Sequence, residues 1–183
     1  ADEIIVVDGT STDNTVEIAK KFGARIKITD NPPNFHINKQ KAIDMAKCDW
    51  ILQLDADERV SKKLADEIKI AIENKDNING YWMSRKNYFL GRFLSKGGQY
   101  PDYTLRLYRK GFGKLPQIDV HEQAEVIGRV EYLKNDLYHY PYKDFKTYYD
   151  KWLRYCDFTS LQIKSDLQNK PKINKILIGL MYL

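Results

Sequence analysis

The stretch Trp50-Ile51-Leu52-Gln53-Leu54-Asp55-Ala56-Asp57-Glu58 is the most informative part of the chain. Its first five residues form a short, mostly apolar run that predicts a buried β-strand. Asp55 and Asp57 follow this run directly. Two carboxylates at a strand end can hold a divalent cation against a diphosphate, because Mg²⁺ and Mn²⁺ prefer oxygen ligands and keep coordination places for substrate phosphates. The alternative interpretation is a solvated acidic turn in front of the next helix.

Strand and helix signals alternate around this stretch. The β-branched run at 4–7 predicts a strand, and the helical spacing of apolar residues at 14–22 predicts a helix with Asn14 and Glu17 as its capping pair and Gly23 as its stop. The further predicted elements are a strand at 25–28, a helix at 37–47, a strand at 50–54 and a helix capped by Ser61. This alternation predicts an α/β fold, in which helices cover both faces of a sheet with parallel strands.

Asp8 ends the first predicted strand just as Asp55 follows the strand at 50–54. In α/β sheets of this kind, ligands bind outside the carboxyl ends of the strands. Two acids on neighbouring strand ends therefore predict a crevice of the size of a nucleotide. The alternative is that Asp8 only belongs to the cap of the helix at 14–22.

The second half of the chain has a different pattern. A strand and turn are predicted at 80–93 and a short strand at 105–108, and helical spacing returns at 143–166. The aromatic stripe at 145–155 is expected to pack in the core, with a platform for sugar stacking as the alternative. We expect a single domain over 1–183, made of a nucleotide-binding half, an acceptor and catalytic half, and a C-terminal helical segment, at 1–75, 76–142 and 143–183.

Composition narrows the range of partners. Thirty Lys and Arg against 25 Asp and Glu give a net charge of +5, which suits phosphate-bearing ligands, an anionic membrane surface or nucleic acid. Since charges of both signs are mixed along the chain, we expect no nucleic-acid partner. Two cysteines are too few for a disulfide scaffold or a metal knuckle. In the absence of a leader signal, we expect a cytoplasmic location.

The end of the sequence allows two interpretations. The run at 176–183 is mostly apolar and follows Lys170, Lys172 and Lys175. Such a pattern is typical of an amphipathic segment that lies on an anionic membrane, which predicts peripheral contact with the inner face of the plasma membrane. It equally fits an ordinary core helix that is cut short.

Seven segments, in this order and spacing, resemble the family 2 inverting glycosyltransferases, and most of all the bacterial branch typified by the lipopolysaccharide-core β-1,4-glucosyltransferases. They lie at 2–8, 11–15, 50–58, 100–102, 105–108, 120–122 and 137–140. The resemblance implies a GT-A fold, which is Rossmann-like, with a mixed, mostly parallel sheet and helices on both faces. It also implies transfer of a hexose, with inversion, from a nucleotide diphosphate sugar to a saccharide or glycolipid acceptor. UDP-glucose is the leading donor, and Mg²⁺ or Mn²⁺ the cofactor.

The resemblance also implies roles in binding the nucleotide-sugar donor. Asp8 matches the acid that contacts the base, and Asp55 the first aspartate of the D-x-D motif, near the ribose. Asp57 matches the second, which binds the metal that bridges the diphosphate. Lys39 is a plausible donor contact, and Arg106 lies in a strand near the donor phosphates.

Catalysis is assigned in the same way. Inverting transfer is a single in-line displacement, so it needs one general base for the acceptor hydroxyl and a cationic group on the departing diphosphate. Glu122 matches the catalytic carboxylate of the family, and a surface glutamate is the alternative. His139 matches a C-terminal metal ligand, although His121 could take that place instead.

The chain also departs from the family pattern. Family members usually begin with one more strand and helix, so we expect that an N-terminal strand and helix are missing and that the natural protein starts upstream. Two rival functions remain open from the sequence. One is a sugar nucleotidyltransferase, and the other is a degenerate domain that binds a sugar nucleotide without turnover.

Overall fold

The computed structural model describes residues 1–32, 34–74, 76–117 and 123–169. Its elements, in chain order, are β1 (Ile5–Asp8), α1 (Thr15–Lys21), β2 (Arg25–Ile28), α2 (His36–Met45), β3 (Trp50–Leu52), β4 (Glu58–Val60), α3 (Lys62–Glu73), β5 (Ile78–Phe89), β6 (Arg92–Phe93), β7 (Asp102–Arg109), β8 (Gly113–Lys114), β9 (Glu125–Val126), β10 (Arg129–Tyr132), β11 (Leu137–His139) and α4 (Phe145–Asn169).

The first strand–helix–strand unit forms as predicted. Strands β1 and β2 pair in parallel, with Asp8 opposite Ile28 at the end of the register. Helix α1 connects them and ends before Gly23, whose φ of +70° lies in the left-handed region that glycine adopts without strain. The predicted capping role of Asn14 is wrong, because its side chain makes no capping hydrogen bond. The carboxylate of Asp13 accepts from the backbone N–H of Thr15 instead, at 3.0 Å.

A second, larger sheet combines strands from both halves of the chain. Five of its seven strands run in the order β3-β7-β5-β11-β4, while β6 and β10 also pair with β5. Strands β10 and β11 run parallel to β5, whereas β7 is antiparallel to both β5 and β3. The sheet is therefore mixed. The strand expected at 50–54 is shorter than predicted. Its partner among the described residues is an antiparallel strand, which the alternation of strands and helices in the first half of the chain could not predict.

Helices cover both faces of this sheet. Leu107 and Tyr108 are successive residues of β7, so their side chains point to opposite faces. Leu107 packs in one buried cluster with Leu64 and Ile68 of α3, and Tyr108 in another with Ile43 of α2. The arrangement of helices agrees with the predicted α/β architecture.

A smaller compact unit consists of Tyr88–Arg92 together with the described part of the chain from Tyr140 to Asn169. Here the ring of Tyr148 on α4 meets the ring of Phe89 edge-on at 5.1 Å, and that of Tyr142 in the same way. The prediction that the aromatic stripe packs in a core is wrong for four of its members. The exposed fractions are 60% for Phe145, 47% for Tyr149, 48% for Trp152 and 41% for Tyr155. The aromatic residues at 145–155 therefore extend beyond the face of α4 on which Tyr148 packs.

Within the described ranges, none of the helices combines the length and the apolarity that crossing a bilayer requires. The run at 176–183 lies outside the described residues, so its two interpretations stay predictions. The division of the chain at residues 75 and 142 also stays a prediction.

Helix α3 offers a matched test of this packing. Leu64 is fully buried beneath the sheet, whereas Ile70 on the same helix is 73% exposed. We expect Leu64→Ala to lower the free energy of unfolding by about 2–5 kcal/mol, because it removes buried methyl groups and leaves a cavity. Ile70→Ala should change it by about 0.5 kcal/mol or less. Urea denaturation measures both, and equal effects would contradict the assignment of the buried face.

Candidate functional site

The carboxyl end of β3 brings three of the predicted site residues together. The backbone N–H of Gln53 donates to the carbonyl of Arg106 at 2.8 Å, so β7 stays beside the chain one residue past the end of β3. Arg106 then reaches Asp55, with 2.7 Å between Nη2 and Oδ2. Lys39 of α2 binds the other carboxylate oxygen of Asp55, with 2.5 Å between Nζ and Oδ1. Both oxygens of Asp55 are thus paired with cations.

Glu58, to which the sequence analysis gave no role, completes this cluster. Its side chain is fully buried. One carboxylate oxygen accepts from Nη2 of Arg106 at 2.8 Å, and the other accepts from the backbone N–H of Asp55 at 2.9 Å. The signal that could have identified Glu58 is the buried cation itself, because an arginine in a buried strand needs more than one carboxylate to satisfy its donors.

Burial and charge oppose each other in this cluster. Burial alone would raise the pKa of Asp55, but the charges of Arg106 and Lys39 outweigh it and hold this pKa below its ordinary value. Burial also works against the charged form of Arg106, yet Asp55 and Glu58 raise its pKa above the ordinary value. For Lys39 the balance differs, since burial lowers the pKa of its ammonium more than Asp55 raises it. Asp55 and Arg106 thus hold each other in their charged forms.

A second set of polar contacts continues from Glu58 across the sheet. Arg85 of β5 lies 3.6 Å from Glu58, between Nη1 and Oε1. It also donates to Oδ2 of Asp102 through Nε and Nη2, at 2.9 and 2.8 Å. Asn87, two residues further along β5, donates to the same oxygen at 3.0 Å and lies opposite His139 in the register of β5 and β11. These contacts lead from the acidic cluster to the predicted metal ligand.

His139 and Asp57 lie side by side. Nε2 of the imidazole is 3.4 Å from Oδ2 of Asp57, and the two side chains are 15% and 36% exposed. Both predicted metal ligands are therefore within reach of one small ion. Among the described residues there is no group of three or more His, Cys, Asp or Glu side chains that could hold a metal. This pair would thus supply two ligands, and substrate or water the rest.

Asp8 has a separate environment at the end of β1. It is 4% exposed, and its Oδ2 accepts from the backbone N–H of Ser11 at 2.8 Å. Hydrogen bonds from Ser11, first from its hydroxyl and then from its backbone, lower the pKa of Asp8 despite burial. In the described pairing β1 lies next to β2, and β3 next to β7. The expectation that Asp8 and Asp55 end neighbouring strands is therefore wrong for the described sheets, because β1 belongs to a two-stranded sheet with β2, and β3 to the seven-stranded sheet.

The predicted catalytic base, Glu122, and the alternative metal ligand, His121, lie outside the described residues. Their roles stay predictions. The described chain resumes at Gln123, whose Oε1 accepts a hydrogen bond from the buried hydroxyl of Thr104 on β7, at 3.0 Å.

Comparisons with known proteins agree on one family. The family model described as Glycosyl transferase family 2 matches residues 1–122. An uncharacterized glycosyltransferase of Rickettsia typhi is 32% identical over 152 residues, which cover 76% of this chain and 51% of that protein. The lipopolysaccharide core biosynthesis glycosyltransferase LpsC of Rhizobium meliloti is 29% identical over 116 residues, which cover 61% of this chain and 43% of LpsC. The chain spans about half the length of the curated relatives it matches.

A solved structure extends the comparison to the fold. The crystal structure of S. aureus TarS 1–349 matches with a TM-score of 0.54 and 16% identity, covering 96% of this chain and 59% of that one. At this identity the likeness concerns the fold alone. Together with the family match, it confirms the predicted GT-A fold class.

The buried ion cluster predicts that Glu58→Gln strongly lowers the free energy of unfolding. The substitution removes a buried charge from beside Arg106, and breaking a buried ion pair costs about 3–5 kcal/mol. The control is Glu17→Gln, since Glu17 is 65% exposed in its surface pair with Lys21, and such pairs are worth about 1 kcal/mol or less. Urea denaturation of both variants measures the difference. If Glu58→Gln lost no more unfolding free energy than the control, the assigned ion pairs of Glu58 would be contradicted.

The lowered pKa of Asp55 predicts how its contribution varies with pH. Because the pKa is lower in the folded than in the unfolded chain, the carboxylate stabilises the fold above the unfolded value of about 3.9. This stabilisation is lost as the pH falls through the folded value. The difference in unfolding free energy between the wild type and Asp55→Asn should therefore be largest near neutral pH and shrink under acid. Urea titrations over a pH series measure it, and a difference that grows under acid would contradict the assignment.

Proposed function

Because the chain belongs to glycosyl transferase family 2, we propose that it transfers a hexose, with inversion, from a nucleotide diphosphate sugar to a saccharide or lipid-linked acceptor of the cell envelope. UDP-glucose is the proposed donor. The similarity to LpsC, a glycosyltransferase of lipopolysaccharide core biosynthesis, supports an acceptor of this class. Membership of a family of glycosyltransferases, which transfer the sugar and not the nucleotidyl group, argues against the sugar nucleotidyltransferase.

The observation that carries the proposal is the contact between Asp57 and His139, with 3.4 Å between Oδ2 and Nε2. A carboxylate oxygen and an imidazole nitrogen are both ordinary ligands of divalent cations in proteins. Mg²⁺ is typically held by one or two carboxylates and completes its coordination with water and substrate phosphates. Two protein ligands, both reached by solvent, fit Mg²⁺ or Mn²⁺ that binds together with the diphosphate. They do not fit a closed structural site.

The bound cation would withdraw negative charge from the departing diphosphate. The protein side chains would act around it. Each oxygen of Asp55 is engaged by one cation, Lys39 or Arg106, and each keeps a further lone pair that can accept a hydrogen bond from a ribose hydroxyl. Arg106 is also bound to Glu58, so Lys39 is the cation with fewer carboxylate partners. Its ammonium, on a side chain that is 20% exposed, would be the one to reach the donor phosphates.

The remaining step requires a general base. One carboxylate within reach of the acceptor hydroxyl suffices for inversion, because a single displacement involves no covalent sugar intermediate. We assign this base to Glu122 and the contact with the nucleotide base to Asp8. A lipid-linked acceptor would be met at the membrane surface, so the proposed location is the cytoplasmic side, with peripheral contact.

Replacement of Asp57 tests the proposal. We expect Asp57→Ala in the full-length gene product to lower UDP release from UDP-glucose, with Mn²⁺ and a lipopolysaccharide-core saccharide, by about a hundredfold or more, because preorganised stabilisation of developing charge is typically worth that much. The control is Asp66→Ala, since Asp66 is an exposed partner of Lys62. Its activity should equal that of the wild type.

Two results would contradict the proposal. One is UDP release by Asp57→Ala within about tenfold of the wild type, which is less than the loss of such a charge-stabilising group produces. The other is binding of UDP-glucose without acceptor-dependent release of UDP from the wild type, which would favour the non-catalytic domain instead.

A further inference from the structure

Asn87 joins two side chains that belong to different parts of the site. Its Nδ2 lies 3.0 Å from Oδ2 of Asp102, and its Oδ1 lies 2.7 Å from Nδ1 of His139. Strand register places it there, because Asn87 of β5 is opposite His139 of β11. On the other side of β5, Asp102 of β7 is opposite Arg85. Since Arg85 and Asn87 are two residues apart on one strand, they share a face of the sheet.

These contacts determine which way the amide of Asn87 points. Asp102 receives two N–H donors of Arg85 on one carboxylate oxygen, at 2.9 and 2.8 Å. An ionised carboxylate only accepts hydrogen bonds. The nitrogen end of the Asn87 amide must therefore face Asp102, which leaves its oxygen end facing His139.

The orientation of Asn87 in turn determines the proton on His139. An amide oxygen only accepts, so Nδ1 of His139 must carry the hydrogen that fills the 2.7 Å contact. A neutral imidazole carries one hydrogen, and Nε2 is then left with its lone pair. That lone pair lies on the side of Asp57, where Nε2 is 3.4 Å from a carboxylate oxygen, which is longer than the about 2.7–3.2 Å of an N–H···O hydrogen bond. The 2.7 Å contact of Nδ1 is therefore the stronger of the two and holds the proton.

We propose that Asn87, oriented by Asp102, is a positioning residue that keeps the proton of neutral His139 on Nδ1 and so presents the Nε2 lone pair beside Asp57. The inference rests on the proposed role of His139 as a metal ligand. Metal-binding histidines need a free lone pair, and the hydrogen bond of the other ring nitrogen decides which nitrogen has it. Without Asn87, His139 can place its proton on Nε2, where it blocks the cation.

Nitrogen-15 NMR of the metal-free protein tests the tautomer directly. The chain has three histidines, so a spectrum of His139→Gln identifies the signals of His139. The pH is kept well above the ordinary histidine value of about 6.5. In the wild type, Nδ1 should resonate as a protonated nitrogen and Nε2 as an unprotonated one. In Asn87→Leu the population with the proton on Nε2 should rise.

Two further variants distinguish the loss of the hydrogen bond between Asn87 and His139 from a general effect on packing. Asn135→Leu is the matched control, because Asn135 is also a half-buried asparagine whose Nδ2 donates to a carboxylate, that of Glu67, at 2.8 Å. It should leave the His139 tautomer unchanged. Asn87→Asp keeps an acceptor opposite Nδ1, so it should preserve the wild-type tautomer even though its like charge beside Asp102 lowers stability.

Calorimetric titration of Mn²⁺ in the presence of UDP supplies a second readout. Loss of a partner that orients a metal ligand typically weakens metal binding by about 10–100-fold. We expect a loss of this size for Asn87→Leu and none for Asn135→Leu.

Three outcomes would overturn the inference. They are a wild-type spectrum with the proton on Nε2, an unchanged tautomer in Asn87→Leu, and an equal shift in Asn135→Leu. A different result tests the proposed function alone. If His139→Gln binds Mn²⁺ as tightly as the wild type while the spectra behave as expected, the metal role of His139 is contradicted and the control of its tautomer by Asn87 is supported.

Discussion

The guanidinium of Arg106, held between Asp55 and Glu58, is the interaction on which the rest of the site depends. Its side chain is 9% exposed, and Nη2 lies 2.7 and 2.8 Å from the two carboxylates. A buried charge without partners costs several kcal/mol, so Arg106 requires both acids close by. Since β7 fixes Arg106, the loop from Asp55 to Glu58 must close against this strand. Asp57 lies between the two anchored acids, and its position follows from theirs.

The ion cluster around Arg106 is also connected to His139. The connection runs through side chains of the strands, and not through the loop from Asp55 to Glu58. Arg85 contacts Glu58 at one end of its guanidinium and Asp102 at the other. Asp102 orients Asn87, which meets His139 across the pairing of β5 and β11. The proposed metal-binding pair is thus supported through both of its members, by the ion cluster of Asp55, Glu58 and Arg106 next to Asp57 in the chain and by a hydrogen-bond chain that ends at His139. A mixed sheet makes this possible, because it brings acids from the first half of the chain beside cations and amides from the second.

Local patterns predicted the elements of the first half well, because each signal lies within a few residues. The strand at Arg25–Ile28 and the cap of α3 by Ser61, whose Oγ accepts from the backbone N–H of Leu64 at 3.1 Å, are confirmed. The pairing of strands depends on residues that are distant in the sequence, so local patterns could not predict it. The antiparallel partner of β3 is 59 residues away where Trp50 meets Arg109, and the roles of Glu58 and Asn87 exist only through such pairings. Motif spacing and family resemblance carry information that propensity lacks, and they selected the residues that the structure brings together, Asp55 with Lys39 and Arg106, and Asp57 with His139. Their functional roles stay predictions.

The central claim is that Asp57 and His139 together receive the cation that accompanies the donor diphosphate. A crystal structure of the full-length protein with UDP and Mn²⁺, with data collected at the manganese absorption edge, tests it most directly. The account predicts an anomalous peak within coordination distance of both the Asp57 carboxylate and Nε2 of His139, with a diphosphate oxygen as a further ligand. A manganese peak remote from this pair, with UDP bound and Asp57 still in direct contact with His139, would contradict it.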